Sequence, residues 1–116
     1  MTIATLRGLC RTWQERLRIT DWTTTIRWAK SGELPGECGT CEYDPRNMGA
    51  KIIIREGVDP AYPDGGVEQT VIHELLHVVM HGDKEYRGEK IMQERSINQI
   101  ADALYWAYHR KPRGKK

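Results

Sequence analysis

Apolar residues return at intervals of three and four at the start of the chain, at Ile3, Leu6, Leu9, Cys10, Trp13 and Leu17, with arginines between them. This spacing predicts an amphipathic helix of about four turns, ended by Thr20 and Asp21. From Trp22 to Lys30 the pattern changes to alternation. Thr24, Ile26 and Trp28 take one side and Thr25 and Arg27 the other, as in a strand. Gly32, Pro35 and Gly36 mark a loop over Ser31 to Gly36. A second short strand is expected from about Glu37 to Tyr43, weakened by Gly39, and Asp44-Pro45-Arg46-Asn47 is turn chemistry. Ala50 to Arg55 contains Ile52-Ile53-Ile54, a run suited to a strand covered on both faces. After a loop over Gly57 to Gly66, two helices are expected. They run from about Val67 to His81 and from about Glu89 to His109, joined by a polar connection around Gly82 to Gly88.

The order of helix, three short strands and two helices predicts an α+β domain with a small, mostly antiparallel sheet. Residues 1–109 are read as one domain and 110–116 as a flexible basic tail, in which Arg110, Lys111, Arg113, Lys115 and Lys116 crowd together. The tail is also a weak pointer to nucleic acid. The composition, 39% hydrophobic and 29% charged with a net charge of +2, is ordinary for a globular protein. No apolar run reaches the roughly 18–20 residues that cross a bilayer, so no membrane association is expected. Met1 to Thr20 is punctuated by charges and lacks the pattern of a signal peptide, so the expected compartment is the cytoplasm and the expected state a monomer. Three cysteines make a poor disulfide framework. Cys10 is read as a core residue. Cys38 and Cys41 form a lone Cys-x-x-Cys that no second pair completes into a structural zinc site.

The chemistry concentrates in His73-Glu74-Leu75-Leu76-His77. In a helix the two imidazoles leave one face a turn apart and can hold one zinc ion, with Glu74 placed to act as general base. On this helix Val71, Ile72, Leu75, Leu76, Val78 and Val79 form an apolar surface expected to be buried, and Thr70, His73, Glu74, His77 and His81 follow the other stripe. A catalytic zinc usually takes three protein ligands, so a third must come from elsewhere. His81 is an awkward choice, because three histidines along a straight helix span about 12 Å at 1.5 Å per residue. It is better read as a partner beside the site or a helix cap. Glu94 is the stronger candidate. It lies in an apolar stripe with Ile91, Ile97, Asn98, Ala101, Leu104, Tyr105 and Tyr108, where a carboxylate is costly unless paired. Zinc would pair with it, and Asn98 could support a ligand. The plain structural alternative is a Glu94 paired with an arginine such as Arg27 or Arg95.

His73-Glu74-Leu75-Leu76-His77 followed by Glu94-x-x-Ile97-Asn98-x-Ile100-Ala101-x-x-Leu104 resembles the ImmA/IrrE-like and phage-type minimal zinc metallopeptidases. The resemblance runs over about Val67 to Leu104, with Leu76 where ImmA/IrrE-like helices usually carry glycine. It implies a minimal zincin-like, gluzincin-type fold with a glutamate on the following helix as third ligand. The expected ligands are therefore His73, His77 and Glu94, holding one Zn2+. The expected function is a zinc-dependent endopeptidase acting on a protein or peptide, with Glu74 taking the proton of the attacking water. The resemblance also implies an edge strand near Cys38 to Tyr43 that receives the substrate by β-addition. Tyr43, Tyr86, Tyr105, Tyr108, His81 and His109 are all eligible to stabilise the oxyanion. The alternative from another class is a zinc-binding interaction module, or a latent form with the segment from His109 to Lys116 across the site.

Overall fold

The computed structural model describes residues 1–56, 66–80 and 90–109, without the side chains of 90–93. The expected loop over 57–65, the connection around 82–88, His81, Tyr86 and the tail over 110–116 lie outside the described residues. Six elements follow in order: α1 (Ile3–Arg16), β1 (Thr23–Trp28), β2 (Gly39–Asp44), β3 (Gly49–Ile54), α2 (Gly66–Val79) and α3 (Lys90–His109). The arrangement is α+β, as the hydrophobic pattern predicts.

Thr2 caps α1, its hydroxyl accepting from the Thr5 N–H at 3.1 Å. The helix ends at Arg16, about four turns long as its spacing predicts, ahead of Thr20 and Asp21. Arg18 takes a left-handed φ of 62°, the Arg18 N–H bonds the Glu15 carbonyl and the Ile19 N–H bonds the Gln14 carbonyl. This is a helix-terminating motif that glycine usually supplies, and here an arginine bears its strain. Leu6, Cys10 and Trp13 form the buried stripe of α1.

The sheet is mixed, in the order β1-β3-β2. β3 is central, parallel to β1 and antiparallel to β2, so the expected antiparallel character belongs to one of the two pairings. Its central place explains Ile52-Ile53-Ile54, all three buried. Ile52 and Ile54 join the main core with both helices' apolar faces, while Ile53 stands outside that cluster, on the alternate face. β2 is an edge strand among the described residues. The Arg55 N–H donates to the Cys38 carbonyl at 2.8 Å. By the alternation of an antiparallel ladder, Thr40, Glu42 and Asp44 therefore bond across to β3, while Gly39, Cys41 and Tyr43 turn their main-chain groups outward.

Three helices meet at Glu68. Its Oε2 accepts from the Trp13 indole N–H at 2.7 Å and bonds His109 Nε2 at 3.0 Å, tying α1, α2 and α3 together. Gln69 Nε2 adds a bond to Asp102 Oδ1 at 2.8 Å between α2 and α3. Trp13 is fully buried, so losing its acceptor strands an indole N–H in the core. Glu68→Ala should therefore cost about 1–3 kcal/mol in urea unfolding, and a loss within a few tenths of zero would contradict this role.

Candidate metal centre

α2 is buried on more than one face. Val71, Ile72, Leu75, Leu76 and Val78 pack inward, and Thr70 and Glu74 are also buried, at 4% and 5% exposure. The polar stripe is thus covered rather than solvated, because β2 packs over it as the main core packs under the aliphatic side. Val79, expected on the buried surface, is exposed at the last turn of the helix.

His73 and His77 lie one turn apart, with ring centroids 5.2 Å from each other. Glu94, near the start of α3, reaches both. Its Oε1 is 3.1 Å from His73 Nε2 and its Oε2 is 3.0 Å from His77 Nε2. The three side chains offer ligand atoms that all lie within 4.8 Å of one another, so the group could hold a metal ion. Glu94 keeps 44% of its side chain exposed against 13% for His73 and 23% for His77, so the group is open on the Glu94 flank.

These ion pairs do not by themselves explain why α3 sits where it does. A pair exposed to this degree contributes about 0–1 kcal/mol, and only when the imidazole is protonated. Ile97 and Ala101, both fully buried in the core that α2 shares, dominate: one buried isoleucine contributes roughly 1.5–3 kcal/mol. Apolar docking carries Glu94 to the histidines. The arginine alternative fails for Arg27, whose guanidinium is engaged by Glu33 at 2.6 and 2.9 Å.

A cleft of about 430 Å³ opens over the group, lined by Glu37, Gly39, Thr40, Cys41 and Tyr43 from the β2 side and by His73, Glu74, His77 and Glu94. Glu74 faces this cleft without joining the three ligand atoms. Of the hydroxyl and imidazole groups named as oxyanion donors, Tyr43 alone lines it among the described residues. Tyr108 instead packs edge-on against Trp13, with the Arg16 guanidinium 4.0 Å from its ring. His109 is engaged at Glu68, and Tyr105 stacks beside it. Asn98 is partly buried on α3, one turn beyond Glu94, and does not line the cleft.

Neither Cys38 nor Cys41 forms a disulfide. Cys38 Sγ accepts from Arg55 Nη2 at 3.2 Å. Burial first, then the charges of Glu74, Cys10 and Glu42, push the Cys41 thiol up to about 12, so it stays protonated at neutral pH. Burial, with Cys41 beside it, likewise raises the Tyr43 phenol, which stays a donor. Thr40 and Cys41 belong to the segment expected to form the substrate-receiving edge, and β2 carries them to the cleft. Glu37, just before β2, received no site role from the sequence.

Comparison with family models, with curated proteins and with solved structures found no match to the chain. Glu94→Ala should weaken binding of a divalent metal by about 100-fold or more, since loss of even an outer partner typically costs 10–100-fold. Unchanged affinity in a calorimetric titration would remove Glu94 from the ligand set and redirect the search to Asp83, Glu85 or Glu89, which lie outside the described residues.

Proposed function

We propose that this chain is a zinc-dependent peptidase in which His73, His77 and Glu94 hold the ion and Glu74 is the general base. The observation that carries this reading is the buried Glu74 carboxylate, facing the same cleft as the ligand group but standing apart from it. Two imidazoles and one carboxylate, with one flank open, match the three-ligand sets of catalytic zinc sites; structural sites close the fourth position with protein. The chemistry that zinc supplies in such a site is Lewis acidity toward water and toward the scissile carbonyl.

The remaining steps fall to the chain's own groups. Glu74 takes a proton from the attacking water and returns it to the departing amine. Its burial keeps the carboxylate in one place and removes competing water from it. Tyr43, protonated and lining the cleft, is suited to donate a hydrogen bond to the developing oxyanion. The outward main-chain groups of Gly39, Cys41 and Tyr43 can pair with an extended substrate, so that β-addition at the β2 edge aligns a peptide beside the base.

The test uses zinc-loaded full-length protein and a quenched fluorescent peptide library. Glu74→Gln should keep its zinc and lose turnover by roughly 100-fold or more. Tyr43→Phe should lower kcat by about 100-fold with a smaller change in KM. Equal turnover in Glu74→Gln and parent would refute the mechanism. A zinc-replete parent that cleaves nothing would favour the zinc-binding interaction module instead.

A further inference from the structure

Gly39 occupies a place in β2 where a side chain has no room. A Cβ built there would stand 2.9 Å from Thr70 Cγ2, 3.0 Å from Glu74 Oε2 and 3.2 Å from Ile54 Cδ1. Its backbone is not in the left-handed region; Gly32 and Gly66 are the described glycines with positive φ. Conformational freedom is therefore not what the position requires. Space is. Glycine inside a strand marks a bulge or a close approach of another group, and here the approaching groups are one turn of α2 and the carboxylate of Glu74.

The three contacts differ in kind. Thr70 and Ile54 meet Gly39 with terminal methyl groups, on α2 and on the neighbouring strand β3. Glu74 meets it with a carboxylate oxygen that the proposed chemistry needs in a fixed position. Thr70 stands one turn before Glu74 and its hydroxyl donates to the Gly66 carbonyl at 3.3 Å, which fixes its methyl toward β2. The bare Cα of Gly39 stands against the carboxylate. The same residue turns its main-chain N–H and carbonyl to the outer edge of β2, so the edge that would receive a substrate is also the wall that confines the base.

We propose that Gly39 is a positioning residue for Glu74: its missing side chain lets the edge strand close on the carboxylate and hold it at the cleft. This rests on the peptidase reading for its catalytic consequence, though the contact itself does not. A methyl group at position 39 displaces either the carboxylate or the strand.

Two experiments on the full chain read these consequences separately. The first measures thermal unfolding of metal-free parent, Glu74→Ala and Glu74→Gln proteins, each with and without Gly39→Ala. Gly39→Ala should lower Tm by about 5 °C or more through overpacking. That penalty should shrink clearly when Glu74 is alanine and persist when it is glutamine, which fills the same space. An equal penalty in all three backgrounds would overturn the contact, whether or not the protein hydrolyses anything.

The second uses Thr70→Ser/Ile54→Val, which removes both methyl contacts and leaves the carboxylate. In that background Gly39→Ala should retain the share of the Tm penalty owed to the carboxylate and keep its zinc stoichiometry, and lower kcat by tenfold or more with KM nearly unchanged. Recovery of kcat together with Tm would reduce Gly39 to a packing residue and overturn the proposal. If the parent itself cleaves no peptide, the function proposed above fails and the unfolding cycle alone decides the role of Gly39.

Discussion

The docking of α3 on α2 is the constraint on which the candidate site depends. A metal group that draws two ligands from one helix and the third from another exists only while the two helices keep their register. Moving Glu94 by one residue along α3 would swing its side chain by about 100° and out of reach of both imidazoles. The register is fixed by contacts that have nothing to do with the metal: the buried side chains of Ile97 and Ala101, the bond from Gln69 to Asp102, and the clasp of His109 on Glu68. A half-exposed carboxylate could not position a helix. An apolar stripe can, and it delivers the carboxylate as a consequence.

The opposite wall of the cleft is built on a different principle. There an edge strand is brought against α2 so closely that one of its residues can carry no side chain. Glu74 is left between its own helix and the Gly39 backbone, buried yet facing the ligand group. Both walls rest on the same helix, which explains why α2 is buried on several faces and why its polar residues are not solvated. Thr70 and Glu74 in particular are buried where β2 packs on α2.

Much of this was legible in the chain and some was not, for physical reasons. Helices and strands follow from local periodicity, so Leu6, Cys10 and Trp13 announce α1, and three consecutive isoleucines announce a strand buried on both faces. The imidazole pair follows from helical geometry. Glu94 stood out because a carboxylate in an apolar stripe calls for a partner, and the structure brings His73 and His77 to it. Strand order was a different matter. That β3 lies between β1 and β2, parallel to one and antiparallel to the other, is a long-range choice that no local pattern records. The way α1 ends, through Arg18, depends on an arginine accepting a left-handed conformation that composition would assign to glycine. Gly39 read as a weakness in a strand because its neighbours on α2 are more than thirty residues away in sequence.

In the proposed site these helices bring two imidazoles and one carboxylate, and no sulfur, to a single zinc ion. X-ray absorption at the zinc edge of the loaded protein reads that ligand set. The expected result is a shell of nitrogen and oxygen neighbours at about 2.0–2.1 Å with the outer scattering of two imidazoles. A sulfur neighbour at about 2.3 Å would place Cys38 or Cys41 at the metal and contradict the site described for His73, His77 and Glu94.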